Sequence, residues 1–368
     1  MMYLKSLKLE HFRNYRECGV SFCPGINVVY GDNAQGKTNL LEAIFYLSNA
    51  KSFRTHSDRE LIQFGQEDAG IATELFLGDR EYNISVRLSS AARRRLCVNG
   101  IPRRTAAEFA GTFRTVLFSP EDLYLVKEGA AVRRKFMDFF LCQIRPRYAR
   151  ALAEYTRLYE HKIRILKDCG EKPSLLSTLE DFNLRLAQAG AVLIHYRALF
   201  SSLLSQTAAG IHSDFSGGTE VLSIRYKTVK TVPDPAAQPK EILPFLLEHQ
   251  KGLYRAEIET RSCLSGPHKD DLEIDINGKP AKSFASQGQT RTAALSMKLA
   301  ERELHCGDGG EYPVLLLDDV LSELDPRRQE FVLNRITGGQ VFVTCCEDER
   351  LGRLLDGAVY HVETGTVK

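Results

Sequence analysis

Hydrophobic and polar positions along the chain change period three times. From Met2 to Glu10 apolar and charged residues alternate, the two-residue period of a half-buried strand. Ile26 to Tyr30 is a short apolar run after the turn residues Pro24-Gly25. Residues 37–48 take helical spacing. Strand patterns return at 69–78, 80–89 and 94–98, and Asn99-Gly100 marks a tight hairpin turn. After Pro120 the spacing becomes helical and stays so to residue 212. Phe136, Phe139, Phe140, Ile144, Tyr148, Leu152, Tyr155, Leu158 and Tyr159 recur on one helical face, with a break expected near Pro146. A second amphipathic stretch runs from Leu175 to Leu204, and three prolines between Thr231 and Pro239 mark a loop.

From residue 260 the strand–helix pattern resumes. Leu272–Ile276, Asn277-Gly278 and Lys279–Phe284 read as a hairpin, 287–305 as a helix and Val314–Leu317 as a buried strand. Residues 326–336 read as a helix and Val341–Thr344 as a further strand. Strand–helix elements at both ends around a helical middle predict an α/β fold. It would be one α/β head, with a mixed sheet and an antiparallel β subdomain, carrying an inserted helical lobe. The expected spans are 1–120 and 261–368 for the two parts of the head and 121–260 for the lobe.

The 368 residues are 43% hydrophobic, enough for a sizeable core. No apolar run approaches the roughly 18–20 residues that span a bilayer. The alternating N-terminus lacks the apolar region of a secretory signal, so a cytoplasmic protein with no membrane partner is expected. The nine cysteines are scattered without zinc-like spacing and are read as reduced thiols. A net charge of +2 gives no global signal for nucleic acid. Local basic clusters exist at Arg93-Arg94-Arg95, Arg103-Arg104, Arg133-Arg134-Lys135 and Arg145, Arg147, Arg150. Each is either a solvated face or a phosphate track, and sequence leaves both open.

Three segments carry chemistry. Gly31-Asp32-Asn33-Ala34-Gln35-Gly36-Lys37-Thr38 fits G-x-x-x-x-G-K-[ST] in full. Its glycines let backbone N–H groups wrap phosphate oxygens, Lys37 brings a charge to the β and γ phosphates, and the Thr38 hydroxyl can ligate Mg²⁺. The expected strand before it and helix after it supply the required context, so ATP with Mg²⁺ is the expected ligand. The second segment, Val314 to Asp319, is an apolar strand ending in two acids. Asp318 is placed to hold Mg²⁺ and Asp319 to orient or deprotonate an attacking water. The third, Ser286-Gln287-Gly288-Gln289, opens a helix with Ser286 as N-cap; as a bare pattern it is an ordinary cap or a second anion site.

With Ser322 to Asp325 following the acidic strand, these segments resemble the signature motif, Walker B strand and D-loop of ABC-type ATPases. That resemblance implies that Ser286, Gly288 and Gln289 of one copy cap the γ-phosphate held by the loop of another, so that ATP drives a homodimer. The match narrows at Leu9 to Tyr15, Phe118 to Leu123, Ser265 to Leu272 and Leu317 to Val320. There the chain resembles the RecF family of bacterial recombination mediators, which are similar to SMC-type heads without long coiled coils. The resemblance implies an ATP-dependent DNA-binding protein with slow ATPase, acting on duplex and on single-strand/double-strand gap junctions. It also implies work with RecR and RecO to place RecA, and support of the SOS response. Arg13 and Asn14 match the segment that lies beside nucleotide in SMC-type heads.

Departures from ABC-type patterns are visible. Thr344-Cys345-Cys346 stands where transporters carry a switch histidine, Asp319 stands where many relatives have glutamate, and a Gln-loop is placed only by position at Ser119 to Glu121. The first reading is an ATP-driven dimer that clamps DNA near single-stranded gaps; beside it stands a second, a nucleotide-gated adaptor for protein partners with hydrolysis nearly absent. A transporter subunit or a small-molecule kinase leaves these motifs unexplained.

Overall fold

The computed structural model describes residues 1–346 and 357–368. The first elements are β1 (Tyr3–Phe12), β2 (Tyr15–Ser21), β3 (Ile26–Tyr30), α1 (Lys37–Asn49), β4 (Asp68–Leu77), β5 (Arg80–Ser89), β6 (Arg95–Val98), β7 (Ile101–Arg103), α2 (Ala106–Phe109) and β8 (Thr115–Phe118). Next come α3 (Ala130–Ile144), α4 (Pro146–Asp168), α5 (Leu179–Ser216), β9 (Leu222–Lys227), α6 (Pro239–Thr260), β10 (Asp271–Ile276), β11 (Lys279–Pro280) and α7 (Ala281–Phe284). The chain closes with α8 (Gln287–Gly309), β12 (Val314–Asp318), α9 (Pro326–Arg335), β13 (Val341–Cys345), β14 (Ala358–Glu363) and β15 (Thr366–Val367). These divide into two units, Met1–Tyr124 with Gln287–Lys368, and Leu125–Ser286.

The first unit holds two sheets. One is antiparallel in the order β2-β1-β4-β5-β6-β7. Its strands alternate buried and exposed residues, as the two-residue period requires. Asn99 and Gly100 both take positive φ, 51° and 73°, and close the β6–β7 hairpin. The other sheet has the order β15-β14-β3-β13-β12-β8, and β14, β3, β13, β12 and β8 pair in parallel. All five residues of β12 are buried, because a parallel strand between two neighbours is covered on both faces. Val116, Phe118, Leu295, Leu315, Leu317, Val332 and Val343 pack into one core around it.

In the second unit, Arg145 takes extended backbone before Pro146, which ends α3 and starts α4. Helix α5 runs 38 residues, beyond the expected stretch, until Gly217 stops it in left-handed conformation. Its apolar stripe, Ala187, Ala191 and Ile194, packs on Ile242 and Leu246 of α6.

Two expectations change. The second arm of the 272–284 hairpin is only Lys279–Pro280, because Pro280 has no N–H to extend the ladder and the chain turns into α7. The hairpin also belongs to the helical unit instead of the head. β10 pairs along its whole length with β9, from Asp271 opposite Lys227 to Ile276 opposite Leu222. The boundaries therefore fall at 124 and 286, against the expected 120 and 260.

The Ser265–Leu272 run anchors this unit. Arg197 of α5 donates to Asp270, Asp138, the Tyr148 hydroxyl and the Pro267 carbonyl. Asp270 also accepts from Tyr226 and Thr228. Arg133 makes a two-pronged pair with Asp271, at 2.6 and 2.9 Å, and caps the Leu125 and Glu128 carbonyls. Arg133 is buried while Asp271 stays partly exposed, so removing the arginine leaves mainly the Leu125 and Glu128 carbonyls without a donor. Arg133→Ala should therefore lower the unfolding free energy by about 2 kcal/mol, read by urea denaturation with circular dichroism. A loss below about 0.5 kcal/mol would mean that the pair holds nothing.

Candidate functional site

Strands that run parallel end at the same edge, and loops at the carboxyl edge of such a sheet collect ligands. Here β3 leads into the phosphate loop, β12 into Asp319, β13 into Cys346 and β8 into Ser119–Glu121. Residues up to 313 positions apart in sequence thus meet at one place.

The phosphate loop lies between β3 and α1, as expected. Gly31 has φ 151°, and a Cβ there would stand 2.2 Å from the Val362 carbonyl oxygen. Gly36 has φ 123°, and its Cβ would stand 2.7 Å from the Asn14 amide. Neither position admits a side chain. Ala34 also takes positive φ, 65°, so the turn exposes successive N–H groups as an anion nest. Helix α1 starts at Lys37 with no side-chain cap and no acid in its first turn, which leaves its N–H groups and dipole for an anion. Asp32, Asn33 and Ala34 are exposed, while Lys37 is 6% exposed. Its ammonium donates to the Gly31 and Asp32 carbonyls at 2.6 and 2.9 Å.

The two acids of β12 meet this loop. The Thr38 hydroxyl donates to Asp318 Oδ1 at 2.9 Å. Thr344, at the end of β13, donates to the same oxygen at 3.0 Å, and its Oγ1 accepts the Asp319 N–H at 2.8 Å. Burial pushes the Asp318 carboxyl above its usual range. The Thr38 and Thr344 hydroxyls pull it back, and Asp319 with Glu121 push it up again. Glu121 lies in the segment placed by position as the Gln-loop. Asp319 takes φ 53°, a strained backbone for a non-glycine residue, and Ser322 donates to its carbonyl at 2.6 Å. Cys346 donates to Asn33 Oδ1 at 3.0 Å and lies 3.7 Å from Lys37 Nζ and 4.0 Å from Asp319 Oδ2. The sequence registered Thr344 and Cys346 only as substitutes for a missing histidine; their partners lie on other strands and leave no local pattern.

Asn14 and Arg13 take different roles. Asn14 donates to the Gln35 carbonyl at 2.7 Å and accepts from Asn39, which in turn accepts from Arg54. It therefore touches the loop itself. Arg13 pairs through two nitrogens with Glu42 of α1, each at 2.9 Å, and donates also to the Glu60 carbonyl. Glu42 is fully buried, so Arg13 braces the helix behind the loop with the donors expected to face nucleotide.

Ser286 is exposed and directly precedes α8; Gly288 and Gln289 lie in its first turn, partly buried. Arg328 ties this start to the D-loop side. It donates to the Gly288 carbonyl at 2.9 Å, to Thr292, and to Asp325. Arg291 donates to the Glu323 carbonyl at 3.2 Å. The signature and D-loop segments thus form one piece.

The basic clusters divide. Arg133 is buried on Asp271, and Arg94 donates to Tyr46, Ala50 and Asp58, so both are structural. Arg93, Arg95, Arg104, Arg147 and Arg150 are exposed. Among the described residues no helix is long and apolar enough to cross a membrane.

Known proteins match this arrangement over its whole length. The RecF/RecN/SMC N-terminal domain family matches residues 3–364. The DNA replication and repair protein RecF of Alkaliphilus oremlandii is 40% identical over 374 residues, covering 100% of both chains. That of Ruminiclostridium cellulolyticum is 38% identical over 357 residues, covering 96% of this chain and 95% of its own. A solved recombination mediator of the RecFOR pathway, described as RecF-ATPrS, superposes with a TM-score of 0.92 at 34% identity. The match covers 100% of this chain and 98% of that one. An SMC head from Pyrococcus furiosus shares the fold, with a TM-score of 0.54 at 17% identity over 100% of this chain and 96% of its own. Identity of this order along the full length, on the same ATPase head, makes the chain a member of the RecF family of DNA replication and repair proteins.

Proposed function

We propose that this chain is an ATP-dependent DNA-binding protein of recombinational repair and replication-fork maintenance, whose nucleotide controls a homodimer. The observation that carries the nucleotide part is the Thr38–Asp318 hydrogen bond, which joins the phosphate loop to the acid at the end of β12. Family membership carries the DNA part, together with relatives described as RecF-ATP and as members of the RecFOR pathway.

In this reading Gly31 to Thr38 wraps the phosphates with backbone N–H groups, and Lys37 moves from the loop carbonyls to phosphate oxygens. The donor set fits Mg²⁺, which takes hard oxygens and is held by one or two carboxylates plus phosphates: Asp318 and Thr38 present a carboxylate and a hydroxyl 2.9 Å apart. Bound there, Mg²⁺ would neutralise phosphate charge. Asp319 orients the attacking water, and Ser286, Gly288 and Gln289 of a second copy cap the γ-phosphate. Aspartate reaches less far than glutamate, and Cys346 replaces a histidine, which suits a slow ATPase that times release. Work with RecR and RecO to place RecA at single-strand gaps, and support of the SOS response in the cytoplasm, follow from the family. The same two departures favour the second reading, an adaptor with negligible hydrolysis. Single-turnover hydrolysis that stayed undetectable with DNA present would select it.

Light scattering without nucleotide, with ADP and with ATP should show a dimer only with ATP. Lys37→Met removes a charged donor and should weaken ATP binding about 100-fold and keep the protein monomeric. A wild-type protein that stays monomeric in saturating ATP and Mg²⁺ would refute the sandwich.

DNA affinity should need ATP and fall steeply with salt. Six to ten phosphate contacts predict a loss of about 10³–10⁵ between 50 and 200 mM salt in a fluorescence anisotropy titration. Equal binding without nucleotide would contradict the clamp.

Cys346 is the exposed thiol of the nine. Maleimide should label it fastest, and ATP at 100 times its dissociation constant should slow labelling about 100-fold. Cys346→Ser should remove that fast phase; labelling indifferent to ATP would place nucleotide elsewhere.

A further inference from the structure

Gln35 occupies a free position of the phosphate-loop pattern, yet its polar groups are held from outside the loop. Its backbone carbonyl accepts from the Asn14 amide at 2.7 Å and from the Gly365 N–H at 3.1 Å. Its side-chain Oε1 accepts the Thr364 N–H at 2.7 Å. The next carbonyl, that of Gly36, accepts the Tyr15 hydroxyl at 3.0 Å. Burial raises the affinity of that hydroxyl for its proton, so Tyr15 stays a donor.

A trans peptide is planar, and its N–H points opposite to its C=O. Holding the Gln35 and Gly36 carbonyls on the outer side therefore aims the Gly36 and Lys37 N–H groups the other way, as phosphate donors. The outer partners come from the β1–β2 corner with Asn14 and Tyr15 and from the β14–β15 turn, and α1 itself adds the Leu40 N–H to the Gly36 carbonyl at 3.0 Å. That turn is compact. Thr364 and Gly365 take φ 47° and 73°, and His361 and Lys368 exchange both backbone bonds beside it. It packs closely on the loop's supports. A Cβ on Gly365 would stand 2.3 Å from the Asn14 carbonyl oxygen, and the Val362 carbonyl already closes over Gly31.

We propose that Gln35 and the Thr364-Gly365 turn are positioning residues of the nucleotide site: the C-terminal hairpin sets the direction of the loop's phosphate donors. The inference rests on reading Gly31 to Thr38 as the ATP loop. It makes Gln35 a support of the loop, where the sequence pattern lists it among the residues that surround the ligand.

Two glycines give a matched test. Gly100 and Gly365 both sit in hairpin turns at φ 73°, but a Cβ on Gly100 meets nothing within 4 Å. Alanine strains both turns alike, and only at position 365 does it press on Asn14. Gly365→Ala should weaken binding of a fluorescent ATP analogue about tenfold, the scale of one or two lost hydrogen bonds. Gly100→Ala should change it less than about twofold. Gln35→Ala keeps the backbone bonds, loses the Thr364 contact, and should weaken binding about fivefold with unchanged circular dichroism. In the double variant with Gly365→Ala the losses should not multiply, because both act on one contact. If Gly365→Ala does not fold, Gln35→Ala decides. ATP affinity unchanged in Gln35→Ala, or lowered equally by Gly365→Ala and Gly100→Ala, would overturn the inference. A wild-type chain that binds no ATP would instead overturn the reading of the loop.

Discussion

In a sheet whose neighbouring strands run the same way, every strand ends at the same edge, and the parallel pairing of β8, β12, β13 and β3 makes that edge chemical. These strands are largely apolar and buried, with Asn27 of β3 and Thr115 of β8 as buried polar exceptions near their starts, so most polar residues come where the strands stop. The stops bring the phosphate loop, the two acids, Thr344 with Cys346, and the Ser119–Glu121 segment together. The Thr38–Asp318–Thr344 hydrogen bonds then fix one carboxylate between two hydroxyls. Without the parallel register, these residues would be scattered turns. With it, Asp318 is a buried carboxylate that resists ionisation.

Much of this was legible in sequence because the signals were local. The loop pattern between a strand and a helix, the apolar run ending in Asp318-Asp319 and the Asn99-Gly100 turn each carry their meaning within a few residues. What escaped reading depends on distant partners. Arg133 lay in a basic cluster, and only its pairing with Asp271, 138 residues away, turns it from a surface charge into an anchor. Arg13 matched a nucleotide-facing segment, while Glu42 fills the same guanidinium. The 271–280 hairpin had the pattern of the head, but β9, its actual neighbour, is chosen by tertiary pairing that no local period encodes. Backbone donors such as the N–H of Thr364 carry no residue signature at all.

The departures from ABC-type patterns also gain a physical meaning. Thr344 is not a blank where chemistry was lost: its hydroxyl donates to the Asp318 carboxylate and accepts the backbone N–H of Asp319. Cys346 keeps contact with Asn33, so the end of β13 still senses the loop. A thiol is a weak hydrogen-bond donor, which makes this a looser coupling than imidazole would give.

The head is assembled from the two ends of the chain, with 125–286 between them, and this has a consequence for synthesis. Thr38 leaves the ribosome early, but its partner Asp318 follows 280 residues later, and the Thr364 N–H that holds Gln35 comes 329 residues after it. At roughly 5–20 residues per second, the loop waits some tens of seconds, about 15 to 65 s, for its supports. The helical unit is finished first. From residue 286 to its last strands a nascent chain therefore carries a complete lobe while Thr38 and Gln35 still lack the partners that these strands bring.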